Sequence, residues 1–90
     1  MPFVYLIGPA GSDGPFKIGK ANNVEQRLAQ FQTSWPVKLL LIEYRAVPRA
    51  EVLSIESRIH KTLAEYRMQG EWFSCDLATA KAAMDSVVPV

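Results

Sequence analysis

The sequence predicts an α+β domain, a small sheet with helices packed on it. Three observations predict it. The 90-residue chain is long enough for one core and too short for two. Its hydrophobic fraction of 49 % and charged fraction of 21 % are those of an ordinary globular protein, not of a disordered or fibrous one. Short β-branched and aromatic runs then alternate with segments whose apolar residues recur at helical spacing. Residues 1–90 therefore read as a single domain, with no repeat, linker or biased tail.

Phe3-Val4-Tyr5-Leu6-Ile7 reads as the first strand and Phe16-Lys17-Ile18-Gly19 as the second. Residues 8–15 between them are dense in Gly and Pro, so the two strands form an antiparallel hairpin with a long loop. A helix begins near Asn23. Asn22 and Asn23 are good N-caps, each followed three residues later by Glu25 or Gln26. Val24, Leu28 and Phe31 give that helix one apolar face, and Trp35-Pro36 ends it, because proline disfavours helical geometry in the residue before it. Val37 to Ala46 is apolar enough for a central strand. Pro48 opens a second helix that runs to about Met68, with the stripe Val52, Ile55, Ile59, Leu63 and Tyr66 and with Gly70 as its C-terminal cap. Glu71-Trp72-Phe73-Ser74 reads as a short strand. Asp76 caps a last helix to about Ser86, with Leu77, Ala80 and Met84 facing inward.

The composition excludes several classes of protein. No apolar run approaches the roughly 20 residues a membrane-spanning helix needs. No basic stretch followed by an apolar one marks a signal peptide at the N-terminus. One cysteine, Cys75, allows no internal disulfide, and no Cys/His set has zinc spacing, so a reducing, cytoplasmic setting is expected. Ten Lys and Arg against nine Asp and Glu give a net charge of +1. Charge alone therefore does not coat this protein with nucleic acid, and any polyanion site needs its basic groups clustered on one face.

Tyr5, Lys17, Arg27, Glu56 and His60 are the groups that can carry chemistry. Tyr5 and Lys17 lie on paired strands, close enough to meet if they share a face; the bland alternative is a sheet tyrosine and a solvated edge charge. Arg27 flanks the apolar stripe of the first helix, where an arginine can simply snorkel. Glu56 and His60 are four residues apart and share a helix face beside Ile55 and Ile59. That spacing suits a metal ion, and it is also that of an ordinary helix pair. Trp72 and Phe73 read as core. Glu71 alternates outward from them, and Cys75 has no base or second thiol near it and reads as inert.

The order of these pieces resembles the GIY-YIG nuclease superfamily, and within it the small phage-type branch described as T5 Orf172-like or Mug113-like. The resemblance runs from Phe3 to Ser74. Val4-Tyr5-Leu6 stands where the first motif belongs and Lys17-Ile18-Gly19 where the second belongs. The stretch from Gly19 to Arg27 has the spacing to the family's arginine. Gln32-Thr33 before Trp35-Pro36 resembles the loop after that helix. Glu56 with His60, then Gly70-Glu71-Trp72-Phe73, resembles the second-helix glutamate and the closing element.

The resemblance implies a three-stranded antiparallel sheet flanked by helices, and a metal-dependent DNA endonuclease. It implies that Glu56 holds one divalent cation, Mg2+ or Mn2+, that Tyr5 orients or deprotonates the attacking water, and that Arg27 holds the scissile phosphate. Lys17 and His60 join them as candidate catalytic groups. DNA contacts fall to Lys17, Lys20, Arg27 and Lys38, with Arg58 and Lys61 behind them. The chemistry is consistent: a guanidinium keeps its charge and grips two phosphate oxygens at once, and magnesium commonly uses only one or two carboxylates. Tyrosine at its ordinary pKa is a poor base, and a cation such as Lys17 or the metal would lower that pKa. Gly19 is expected to permit a tight turn out of the strand.

The chain departs from the pattern in three places. Lys17 replaces the tyrosine of the second motif, Phe31 stands where many relatives carry histidine, and the final asparagine has no counterpart, although Glu71 lies nearby. Lys17 and Phe31 favour a second function, a DNA-binding module without turnover. The near-zero net charge favours a third, a phage-type factor acting on a host protein. The sequence shows no second DNA-binding domain, so if the protein cuts it is expected to do so with low specificity, to recruit a partner or to form a homodimer.

Overall fold

Alternation along the first strand divides the core in two. The computed structural model describes residues 1–11 and 14–88, so the loop positions Ser12 and Asp13 lie outside the described residues. In β1 (Phe3–Pro9), Val4 and Leu6 point to one face of the sheet, and Phe3, Tyr5 and Ile7 to the other. β1 pairs antiparallel with β2 (Phe16–Ala21), which sets Tyr5 opposite Gly19 and Ile7 opposite Lys17. β3 (Leu39–Ala46) pairs with the other side of β1, and β4 (Trp72–Phe73) pairs with β2.

The sheet thus has four antiparallel strands in the order β3-β1-β2-β4, one more than the three that the resemblance implies, the fourth being the short strand read at Trp72 and Phe73. The extra strand is the two-residue β4, which covers only the Phe16–Lys17 part of the β2 edge. Beyond it, the β2 edge is met not by a strand but by the Glu71 carbonyl at the Ile18 N–H and the His60 side chain at the Ile18 carbonyl. This gap positions the site.

α1 (Val24–Gln32) lies on the Tyr5 face, over Leu39 and Ala21, and its Phe31 joins Trp35 and Trp72 in a half-buried aromatic group. α2 (Val52–Thr62) and α3 (Leu77–Val87) cover the opposite face and close over Val4, Leu6, Phe16, Ile18 and Phe73. The two caps expected from the sequence form. The Asn23 side chain accepts from the Gln26 N–H at 3.0 Å, and the Asp76 side chain accepts from the Thr79 N–H at 2.7 Å. Asn23→Ala is expected to cost about 1 kcal/mol, which for a domain of this size lowers the melting temperature by about 4–8 °C in a calorimetric scan. It would also fray the turn that carries Arg27.

Three expectations need correction. β3 is an edge strand, not a central one, and it begins at Leu39. Leu39 is buried while Leu40 and Tyr44 face solvent, and β3 bulges at Ile42, the extra residue between the Leu6–Glu43 and Ile7–Leu41 pairs. The second helix stops at Thr62 and continues only as a 3₁₀ turn, Ala64–Tyr66. The backbone beyond it bonds elsewhere: the Ser74 N–H donates to Tyr66 O, and the Met68 N–H to Trp72 O. A folded-back segment that satisfies its own groups ends the helix early. Gly70, at φ +65°, therefore serves the turn into β4 rather than capping the helix.

Candidate functional site

Gly19 is where the site is assembled. It sits inside β2 without a positive φ, so it does not make the expected tight turn. What it supplies is space. A Cβ here would lie 2.5 Å from the Tyr5 hydroxyl oxygen and 3.0 Å from Glu71 Oε1. The absent side chain lets a phenol and a carboxylate converge over bare backbone. Gly19→Ala is expected to destabilise the fold by about 1–3 kcal/mol through overpacking. Combining it with Tyr5→Phe, which removes the closest atom, should recover part of that loss in a thermal double-mutant cycle.

Glu71 reaches this point because its carbonyl accepts the Ile18 N–H at 3.2 Å, beyond the end of β4. From the other side, α2 presents Glu56 and His60. Among the described residues, Glu56, His60 and Glu71 form a group whose donor atoms all lie within 4.8 Å of one another. His60 Nε2 lies 2.8 Å from the Ile18 carbonyl oxygen. A carbonyl can only accept, so Nε2 carries a proton and Nδ1 is the ring nitrogen left to serve as a ligand. This is how a metal-binding histidine is commonly held, with its other nitrogen donating to backbone.

The electrostatics of the group favour a cation. Burial pushes the Glu56 carboxyl above the usual carboxylate range, and Glu71 beside it pushes further, against the pull of Lys20 and His60. Glu56 Oε2 is buried with no hydrogen-bond partner. Two converging carboxylates, one with an orphaned oxygen, need either a shared proton or a bound cation. The donor set of two carboxylates and one imidazole fits a divalent ion such as Mn2+, and also Mg2+ with waters completing the shell. A hollow of about 320 Å³, walled also by Lys61 and Arg67, opens beside Glu56 and His60.

Tyr5 is buried at 1 % exposure. Burial raises its phenol well above the ordinary tyrosine value; Glu71 and Glu56 raise it further, and Arg27 opposes them. The hydroxyl is therefore a proton donor at neutral pH. The expected lowering by Lys17 is not seen, because the Lys17 ammonium is engaged elsewhere. Its Nζ is 3.7 Å from Glu71 Oε1, 4.5 Å from the centre of the Phe31 ring and 5.4 Å from that of Trp72. Phe31 thus supplies a π-face for the lysine that replaces the motif tyrosine. Trp35 stacks on Trp72 at 4.7 Å behind them.

Arg27 is exposed on α1, without an ion pair among the described residues, and close enough to influence Tyr5. Tyr5, Glu56, Glu71 and Arg27 therefore share one electrostatic neighbourhood, with Lys17 tied to it through Glu71. Lys20 acts on Glu56 from the end of β2. Lys38 is placed apart: it precedes Leu39, which pairs with Pro9 at the far end of β1. Six residues of strand, about 20 Å, separate that end from Phe3. Arg58 is exposed on α2. Cys75 is half-buried, and burial, then the Asp76 carboxylate, raises its thiol, in keeping with an inert residue.

Sequence reasoning did not place Glu71 among the possible metal ligands. Its one signal was its position beside the missing asparagine, immediately before the aromatic pair.

The T5orf172 domain family model matches residues 2–88, nearly the whole chain. The chain belongs to the T5orf172 domain family. The match spans every strand and helix of this T5orf172 domain and all the residues gathered around Gly19. Neither the curated proteins nor the solved structures give a significant match. Among the described residues no helix is long and apolar enough to cross a membrane.

Proposed function

We propose that this T5orf172 domain is a small DNA endonuclease of the GIY-YIG type that hydrolyses a phosphodiester bond with one divalent cation. The observation that carries the reading is the carboxylate pair Glu56–Glu71, with His60 in the same 4.8 Å group and an orphaned buried oxygen on Glu56, beside the Tyr5 hydroxyl and Arg27.

Glu56 and Glu71 would hold the cation, with His60 as a third donor. A bound Mg2+ or Mn2+ would supply Lewis-acid polarisation of a phosphate oxygen and a more acidic water. The protein's own groups do the rest. Arg27 grips non-bridging phosphate oxygens and offsets the charge that builds in the transition state. Tyr5, protonated and fixed over Gly19, orients water or a phosphate oxygen by hydrogen bonding rather than acting as a base. Lys17 holds Glu71 in position from its seat on Phe31 and Trp72.

The raised Tyr5 phenol and the engaged Lys17 favour a second reading, a DNA-binding module without turnover. Incubating supercoiled plasmid with the purified protein separates the two. The endonuclease nicks or linearises DNA in Mg2+ or Mn2+ and not in EDTA. Binding without conversion of the plasmid under any divalent metal would favour the module.

A further inference from the structure

The chain's basic residues are unevenly used. Lys17 is paired with Glu71, Arg45 with Glu43 and Asp85, and Arg67 donates to the Gly70 carbonyl. Lys20, Arg27 and Arg49 have no ion pair among the described residues, yet all three line one hollow of about 230 Å³. No carboxylate lines it. Its floor is firm: Pro2 and Val52 are buried, and the Val47 N–H donates to Pro2 O at 3.0 Å, fixing the β3–α2 turn against the chain start. Each cation comes from a different element: Lys20 from the end of β2, Arg27 from α1, and Arg49 from the turn after Pro48. Three cations held around one concavity that no carboxylate lines repel each other, and an anion seated between them would relieve that repulsion.

Arg27 is also a wall of a second hollow of about 210 Å³, which runs along α1 past Asn23, Gln26 and Gln30. The two hollows share Ala21, Asn22 and Arg27. We infer that the Lys20–Arg27–Arg49 hollow seats a second DNA backbone phosphate, next to the one Arg27 holds for cleavage, and that Arg49 is a phosphate-positioning residue. The inference rests on the DNA reading above and goes beyond it: it adds a residue that neither sequence motif nor metal group marks, and it sets where the duplex enters.

The test measures binding of a 20-base-pair duplex in EDTA over about 50–200 mM salt, for two unrelated sequences. Arg49→Ala should weaken both complexes alike and reduce the slope of log K against log salt by about 0.9, one phosphate contact. Arg49→Lys, which keeps the charge, should retain the slope. Lys81→Ala, on α3, should match the wild type. An Arg49→Ala slope and affinity equal to wild type would overturn the phosphate seat and leave the cleavage reading standing. No duplex binding by the wild type would overturn both. Loss of slope in Arg49→Ala without cleavage in any metal would support the seat and remove the endonuclease reading.

Discussion

Glu56→Gln is expected to abolish metal-dependent cleavage while making the metal-free protein more heat-stable at neutral pH. Losing the electrostatic contribution of a bound cation, several kcal/mol, corresponds to about 10²- to 10³-fold in rate or more. The stability gain follows from the raised Glu56 carboxyl. Between its unfolded value near 4.5 and its higher folded value, the folded chain holds a proton that the unfolded chain has lost. Stability contributed by Glu56 is therefore present below about pH 4.5 and declines as pH rises through the folded value. Glutamine removes that decline and gives Glu71 an amide donor in place of a second carboxylate. Melting curves in EDTA from pH 4 to 8 should show the variant overtaking the wild type as pH rises. Added Mn2+ should raise the wild-type midpoint and leave that of Glu56→Gln unmoved. A variant that cleaves normally, or that melts lower at every pH, would contradict the role given to Glu56.

Arg27→Ala is the second large effect. Removing one charge-stabilising donor from a transition state typically costs 10²–10³ in rate. Arg27 is exposed and has no ion pair among the described residues, so stability should change by less than about 0.5 kcal/mol. Arg27→Lys should recover only part of the loss, since an ammonium cannot grip two oxygens in the fork geometry of a guanidinium. The informative quantity is the single-turnover rate at saturating DNA. A fall there marks action in the chemical step, whereas a change confined to the DNA concentration needed for half-saturation would reduce Arg27 to a binding residue.

The parts of this fold that were legible in the sequence are those set by local chemistry. Asn23 and Asp76 begin α1 and α3 because each offers an oxygen to the N–H three residues on, and that signal is contained in four residues. The α2 stripe Val52, Ile55, Ile59 and Leu63 is buried as its spacing requires. The misreadings arose where distant segments compete. The helix end at Thr62 depends on residues 66–74 folding back on themselves, and the edge position of β3 depends on which strand takes the other side of β1. In the site, Tyr5, Arg27, Glu56 and His60 stood out by residue type and spacing. Glu71 did not, because a carboxylate beside an aromatic pair looks like a solvated strand end until β2 is laid next to it. The sequence suggests backbone freedom at Gly19, whereas what the fold uses is the volume it leaves for the Tyr5 hydroxyl. Arg49 carries no local signal at all, since only the closure of the β3–α2 turn over Pro2 brings it to Lys20 and Arg27.

The central claim is that two carboxylates from separate elements, with an imidazole beside them, bind one divalent ion next to a buried phenol. Anomalous diffraction from crystals of the full chain soaked in manganese tests it most directly. A single strong peak is expected within coordination distance of both Glu56 and Glu71, on the His60 side of the Tyr5 hydroxyl. A peak bound elsewhere, or a Glu56 carboxylate that stays without a cation in saturating manganese, would contradict it.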